Sequence, residues 1–265
     1  MKAFAVVDEI RRERRRGSTA LAWKVLEAYR TLAEESVSLE RDVWRLAEEI
    51  KNARPAMPLV NRFSEEVLKR VERFEASELL EACREVEATY RNIMDSVVEN
   101  AVKHLTGFES LATMSHSGTV LNILKKVETT TTVYVLESRP LREGLLTASE
   151  LRNVKRVVVC VDAAAGYAVD SSDGVLVGGD AVFPDGCFSS KVGVKALALL
   201  ARDAGKPFYV VCDTWKAADI FVNEHGPAED VEAGREVEVL NPVFEKVSGK
   251  LVSALLTERG VFTTI

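Results

Sequence analysis

The sequence predicts an α/β protein: an N-terminal helical domain, residues 1–107, followed by a Rossmann-like parallel-sheet domain, residues 108–265. Three observations carry this. Apolar residues recur at helical spacing over the first hundred positions. After Thr106-Gly107 short β-rich runs alternate with helical stretches. Runs such as Val157-Val158-Val159 are continuously apolar, as in strands buried on both faces of a parallel sheet.

In the helical part, Val25, Leu26, Tyr29, Leu32 and Ala33 form one stripe, and Val43, Leu46, Ala47 and Ile50 another. The segment 54–58 holds two of the seven prolines and interrupts the pattern. A long helix is expected from Ser64 to Leu105. Its stripe of Leu79, Cys83, Val86, Tyr90, Ile93, Val97, Ala101 and Leu105 is short for a coiled coil, which favours packing inside the subunit over a seam between subunits. Strands are expected at Leu111–Met114, Thr132–Glu137, Arg156–Val161, Gly174–Val177 and Pro207–Cys212. Helices are expected near Val120–Val127, Thr147–Val154 and Val192–Ala204.

The chain has 265 residues, is 47% hydrophobic and carries a formal charge of −6. No stretch reaches the ~20 apolar residues of a membrane-spanning helix. The N-terminus has a short apolar run before its basic cluster, the reverse of a signal peptide. A soluble cytoplasmic protein is expected, with no membrane partner. Overall acidity argues against binding nucleic acid through phosphates; the one basic patch is Arg11–Arg16, interrupted by Glu13. The four cysteines include no C-x-x-C pair and the three histidines no close pair, so neither a metal nor a cofactor is expected. Cys160 and Cys212 end apolar runs and read as buried small hydrophobes.

In open α/β sheets ligands lie beyond the carboxyl ends of the strands. There the sequence places Ser115-His116-Ser117-Gly118-Thr119, Glu137-Ser138-Arg139-Pro140, Asp162, Gly178-Gly179-Asp180 and Asp213-Thr214-Trp215-Lys216. Small polar residues before a helix make an anion cradle, Lys and Arg bind phosphate, and carboxylates bind hydroxyls or move protons. A phosphorylated small molecule fits this set. No G-K-[ST] and no G-x-G-x-x-G is present, so neither a Walker loop nor a dinucleotide fingerprint supports it. Each residue also has a plain structural alternative: Ser117 or Thr119 as a helix cap, Asp180 as a strand terminator, Lys191 and Lys216 as solvated charges. Their placement on one rim favours the site.

At these residues the sequence resembles the translation initiation factor 2B alpha/beta/delta superfamily. Arg16-Gly17-Ser18 is similar to its Arg-Gly-Ala element. Glu137-Ser138-Arg139-Pro140, followed by Gly144 and Thr147–Leu151, resembles its Glu-Thr-Arg-Pro segment. Gly178-Gly179-Asp180, with Asp185-Gly186 and Ser190-Lys191-Val192-Gly193, resembles Gly-Ala-Asp…Asn-Gly…Asn-Lys-Ile-Gly. Asp213-Thr214-Trp215-Lys216 resembles Glu-Thr-Tyr-Lys, and Thr257-Glu258-Arg259-Gly260 the C-terminal Thr-Glu-x-Gly. The resemblance implies dimers or larger assemblies, for which the long apolar stripe offers a seam only on its less favoured reading. The superfamily includes regulatory subunits of the exchange factor and isomerases of methylthioribose 1-phosphate and ribose 1,5-bisphosphate.

By that resemblance Arg16, Gly17, Ser117, Gly118, Arg139, Ser190, Lys191 and Lys216 bind the ligand, with Asp180 at the isomerases' acid–base position. The isomerases' cysteine is replaced by Ser115, a far weaker acid that needs a neighbouring base, for which His116 is adjacent in sequence. Ser190 stands for Asn and Gly179 for Ala. Cys187, on another loop, is a remote alternative thiol. Two functions follow as expectations: a regulatory protein binding a phosphorylated sugar or nucleotide, alone or as an initiation-factor subunit, or an aldose–ketose isomerase of ribose 1,5-bisphosphate or a related ester. A role in assembly alone leaves the polar rim unexplained.

Overall fold

The computed structural model describes residues 1–128, 130–232 and 237–263. Five helices come first: α1 (Lys2–Arg12), α2 (Ser18–Glu35), α3 (Leu39–Ala53), α4 (Pro58–Leu68) and α5 (Ala76–His104). Both expected stripes are buried: Val25, Leu26, Tyr29 and Leu32 in α2, Val43, Leu46 and Ile50 in α3. Pro58 opens α4 at a position where the missing N–H costs nothing.

The expected helix Ser64–Leu105 is in fact two. The chain leaves α4 after Leu68 and re-enters a helix at Ala76. Between them Val71 is buried, and Phe74 takes a left-handed conformation, φ +54°, with its ring against Trp44. Glu78, the third residue of α5, reaches back to accept the Arg73 N–H at 2.8 Å, a carboxylate cap that starts the new helix. Apolar periodicity runs through this break, so it hides there.

The α5 stripe lies inside the subunit. Leu79, Cys83, Val86 and Tyr90 join the core of α1–α4. Val97, Ala101 and Leu105 pack on the sheet. One helix thus ties the two layers together.

After α5 the elements are β1 (Ser110–Met114), α6 (Gly118–Lys126), β2 (Thr132–Leu136), α7 (Glu143–Leu151), β3 (Arg156–Cys160), α8 (Ala165–Asp170), β4 (Gly174–Gly178), β5 (Ala181–Val182), β6 (Phe188–Lys191), α9 (Val194–Asp203), β7 (Phe208–Val211), β8 (Phe244–Val247), β9 (Ala254–Thr257) and β10 (Gly260–Thr263). The main sheet runs β10-β9-β7-β4-β1-β2-β3, parallel except for β10. Strand side chains alternate between its faces. Leu111, Val133 and Leu176 meet α5, α6 and α7. Ala112, Val175 and Val177 meet α8 and α9. A three-stranded antiparallel sheet, β5-β6-β8, was not foreseen; its strands are too short and polar to show periodicity.

The β3 run is not buried on both faces. β3 is the edge strand, Val159 is 49% and the following Val161 57% exposed. Cys160 is half-buried rather than interior, while Cys212 is buried as expected. Composition marks an apolar strand, whereas edge or centre is set by pairing elsewhere in the chain. Among the described residues no helix is long and apolar enough to cross a membrane.

Candidate functional site

The strand order reverses at β1, which has β2 on one side and β4 on the other. Such a switch point leaves a crevice beyond the two carboxyl ends. Ser115–Gly118 leaves β1 there, and Gly179-Asp180 leaves β4. The two loops touch closely: a Cβ on Gly178 would lie 2.7 Å from Ser117 Oγ, so a larger residue there would displace the Ser117 side chain.

The β1 loop is braced from several sides. Ser115 sits at φ +64°, and its N–H donates to Ser138 Oγ at 2.7 Å. Its carbonyl accepts from Thr147 Oγ1 at 2.8 Å. Ser117 caps α6, accepting the Val120 N–H at 3.4 Å. The plain structural role and a place in the cleft therefore coexist in one residue.

The helical layer supplies the opposite wall. The N-terminus of α2 points into the crevice, with Gly17 against the His116 carbonyl. Ser18 Oγ donates to Asp180 Oδ1 at 3.1 Å. The result is a cleft of ≈ 570 Å³. It contains nine of the ten residues the sequence singles out: Arg16, Gly17, Ser115, Ser117, Gly118, Asp180, Ser190, Lys191 and Lys216.

Two helix N-termini, of α2 and α6, therefore face one space. Their first N–H groups have no intrahelical acceptor, and each carries a partial positive charge. The walls hold Arg15, Arg16, Arg91, Lys125, Lys191 and Lys216 against Asp95, Glu150 and Asp180. Cations thus outnumber carboxylates on this wall in a chain of net charge −6, a bias that gathers anions.

Lys216 is 4% exposed, so it is no solvated surface charge. Its Nζ donates to the Gly179 carbonyl at 3.0 Å and lies 3.9 Å from Asp213 Oδ2. Burial alone would lower its pKa; the Asp213 carboxylate, followed by Asp180, reverses this and raises it, favouring the ammonium, while burial pushes Asp213 itself upward. Lys191 pairs with the buried Glu143 at 2.7 Å and lies over the Phe244 ring. Ser190 Oγ is already bonded to the Gly178 carbonyl at 2.7 Å. That bond braces the β4 loop.

Arg139 lies apart. It lines a small neighbouring pocket with Arg14, Pro140 and Glu143, and Lys191 borders both spaces. Asp162 turns away from ligand chemistry: its carboxylate accepts the N–H groups of Ser138 at 2.8 Å and Arg139 at 2.6 Å. Cys187 is not among the residues lining the main cleft.

Sequence reasoning missed Arg15, Arg91, Asp95, Asn122 and Lys125. Each is a polar position on or beside a helix and carries no motif. Also missed was the turn Glu13–Gly17. Glu13 Oε1 accepts the N–H of Arg15 at 2.8 Å and of Arg16 at 3.2 Å. Buried Arg54 holds the Glu13 carbonyl and pairs with Glu224 at 2.9 Å. The charge interruption at Glu13 in the basic run was the available signal.

The initiation factor 2 subunit family model matches residues 14–264. The "translation initiation factor eIF-2B subunit 2-like" protein of Pyrococcus horikoshii is 29% identical over 98% of this chain and 96% of its own length. The ribose 1,5-bisphosphate isomerase of Archaeoglobus fulgidus is 28% identical over 98% of this chain and 89% of its own. The methylthioribose-1-phosphate isomerase of Desulfitobacterium hafniense is 34% identical over 58% and 50%. In structure, the Pyrococcus horikoshii OT3 translation initiation factor eIF-2B superposes with a TM-score of 0.88 at 25% identity, covering 99% of this chain and 97% of that one. With a model match over nearly its whole length and relatives aligned end to end, the chain belongs to the initiation factor 2 subunit family.

Proposed function

We propose that this chain is an initiation factor 2B-like protein that binds a phosphorylated sugar or nucleotide in the cleft and acts by regulation rather than turnover. The observation that carries this is the convergence of two helix N-termini with the charged, buried Lys216 at one switch point. A phosphate would lie against the N–H groups of Ser18, Thr19, Gly118 and Thr119. The helical residues 1–107 and the sheet residues 108–265 would then act as two domains with the ligand at their junction. Ser115, standing where the related isomerases have a thiol, supports binding without conversion. A dimer is proposed as the working assembly; relatives of this fold include a tetrameric eIF2B-beta2-delta2 complex.

Asp180 favours a second reading, an aldose–ketose isomerase. Its carboxylate lines the cleft and is oriented by Ser18, as an acid–base group must be. Ribose 1,5-bisphosphate separates the two. Calorimetry would detect binding, and NMR would detect ribulose 1,5-bisphosphate. Binding without conversion is expected. Conversion abolished by Asp180→Asn would establish the enzyme instead.

A further inference from the structure

His116 is the one histidine in the cleft wall, and its surroundings assign its protons. The Thr147 hydroxyl has a single hydrogen, which it gives to the Ser115 carbonyl at 2.8 Å. Its contact with His116 Nδ1 at 3.1 Å therefore needs a hydrogen on Nδ1. The neutral ring keeps its lone pair on Nε2. That atom lies 3.7 Å from Glu150 Oε1, beyond hydrogen-bond reach but placed for an ion pair once Nε2 is protonated. Glu150 is itself tied to Lys125 at 2.9 Å.

We propose that His116 is the anion-coupled proton acceptor of the cleft: binding of a phosphate-like oxyanion draws a proton onto Nε2, so the site selects an oxyanion together with a proton. This rests on the reading of the cleft as an anion site. The charged groups around the ring are Glu150 and Glu143 from α7, Lys125 from α6 and Arg16 from the turn before α2. Burial, helped by Arg16 and Lys125 and opposed by the two glutamates, holds the imidazole below its usual value. An oxyanion beside Arg16 and the α6 N-terminus offsets those two cations and favours imidazolium. By linkage, whatever raises the imidazole pKa is itself bound more tightly as pH falls. Each unit of rise corresponds to about tenfold in affinity between the alkaline and acid limits.

Sulfate is the probe, because it stays a dianion across neutral pH and takes up no proton itself. Calorimetry on the full chain near pH 6.5, in buffers of different ionisation heat, counts the protons bound. We expect a buffer-dependent heat, equivalent to at most about half a proton for a one-unit rise, and its loss in His116→Gln. A sulfate heat independent of buffer, or the same uptake in His116→Gln, overturns the inference and leaves the anion site standing. Absence of binding by both sulfate and ribose 5-phosphate removes the anion reading and this inference with it. Should His116→Gln not fold, the ring's own NMR titration in the wild type decides: a pKa raised about one unit by sulfate supports the inference, and an unchanged one ends it.

Discussion

The Tyr90 hydroxyl donates to the Asp213 carboxylate at 3.1 Å, joining α5 to the loop after β7 across 123 residues. Asp213 also accepts the Trp215 N–H at 3.1 Å and faces the Lys216 ammonium at 3.9 Å. Tyr90 and Trp215 pack ring on ring, centroids 5.3 Å apart. The helical layer thus holds the carboxylate that keeps the cleft's deepest cation charged. Tyr90→Phe retains the packing and removes one hydrogen bond to a buried carboxylate. It should cost about 1.5–3 kcal/mol in urea unfolding. It should also weaken phosphate-ester binding, since Asp213, the counter-ion of Lys216, is then fixed by the Trp215 N–H alone. Unchanged stability and affinity together would show that Asp213 needs no partner from α5.

Lys216 and Arg16 should separate stability from binding. Lys216→Ala leaves Asp213 buried without its cation and should destabilise by about 3–5 kcal/mol. The Arg16 side chain is 60% exposed, and among the described residues its ion pairing is a long contact to Glu13 at 3.9 Å. Arg16→Ala should therefore leave the unfolding midpoint alone. Its loss of one charge-assisted bond should weaken ligand affinity by about 1.5–3 kcal/mol, read by calorimetry. A full-strength Arg16→Ala complex would place the anion elsewhere in the cleft.

Glu13 adds a pH-dependent contribution. Burial alone would raise its carboxyl; the N–H groups of Arg15, Arg16 and Arg14 bring it below its ordinary value of 4.5. A carboxyl depressed in the folded state stabilises fully above its unfolded pKa, and that contribution is lost as pH falls through the folded value. Glu13→Gln should thus lower stability at neutral pH and flatten the acid limb below about pH 4.5. Wild-type and variant curves that stay parallel into acid would mean the turn does not depend on the charge.

Much of this was legible in the sequence, for identifiable reasons. The five parallel strands expected from the alternation all exist, because buried parallel strands are written as short apolar runs between helices. Ser115, Ser117, Gly118, Asp180 and Lys216 line one cleft because strand ends in such a sheet converge; Arg139, also placed on the rim, lies in the neighbouring pocket. Other features were not legible, and three of them show why. The α4–α5 break is made by the Glu78 cap and the left-handed Phe74, neither of which disturbs apolar spacing. The edge position of β3 depends on which strands pair, information no local run contains. The wall residues Arg91 and Asp95 reach the cleft only because α5 crosses from the helical core onto the sheet.

Gly144 tests the packing beneath the Arg139 segment. A Cβ there would lie 1.8 Å from the Leu136 carbonyl oxygen, a backbone atom that cannot rotate aside. Gly144→Ala must push α7 off β2 and should cost about 3 kcal/mol, the upper end of over-packing. Thr147 and Glu143 move with α7, so the Ser115 and Lys191 contacts should loosen too. A variant as stable as the wild type would mean that α7 docks less tightly than described.

Ser115→Cys is the most direct test of whether a thiol at this position gives the cleft faster isomerisation. Ser115 is held by its N–H to Ser138 and its carbonyl to Thr147, both backbone contacts that a cysteine keeps. The substitution therefore changes the reacting atom with little change of scaffold. A free thiol titrates near pH ~8.5 and is lowered by nearby positive charge, here the α6 N-terminus and Arg16. Asp180, braced by Ser18, remains as the second acid–base group. If the missing thiol is what separates this chain from its isomerase relatives, Ser115→Cys should convert ribose 1,5-bisphosphate measurably faster than the wild type. Asp180→Asn in the same background should abolish that gain. Binding retained with no conversion in Ser115→Cys would locate the difference beyond this atom, in the Ser190 bond to Gly178 or the seclusion of Arg139.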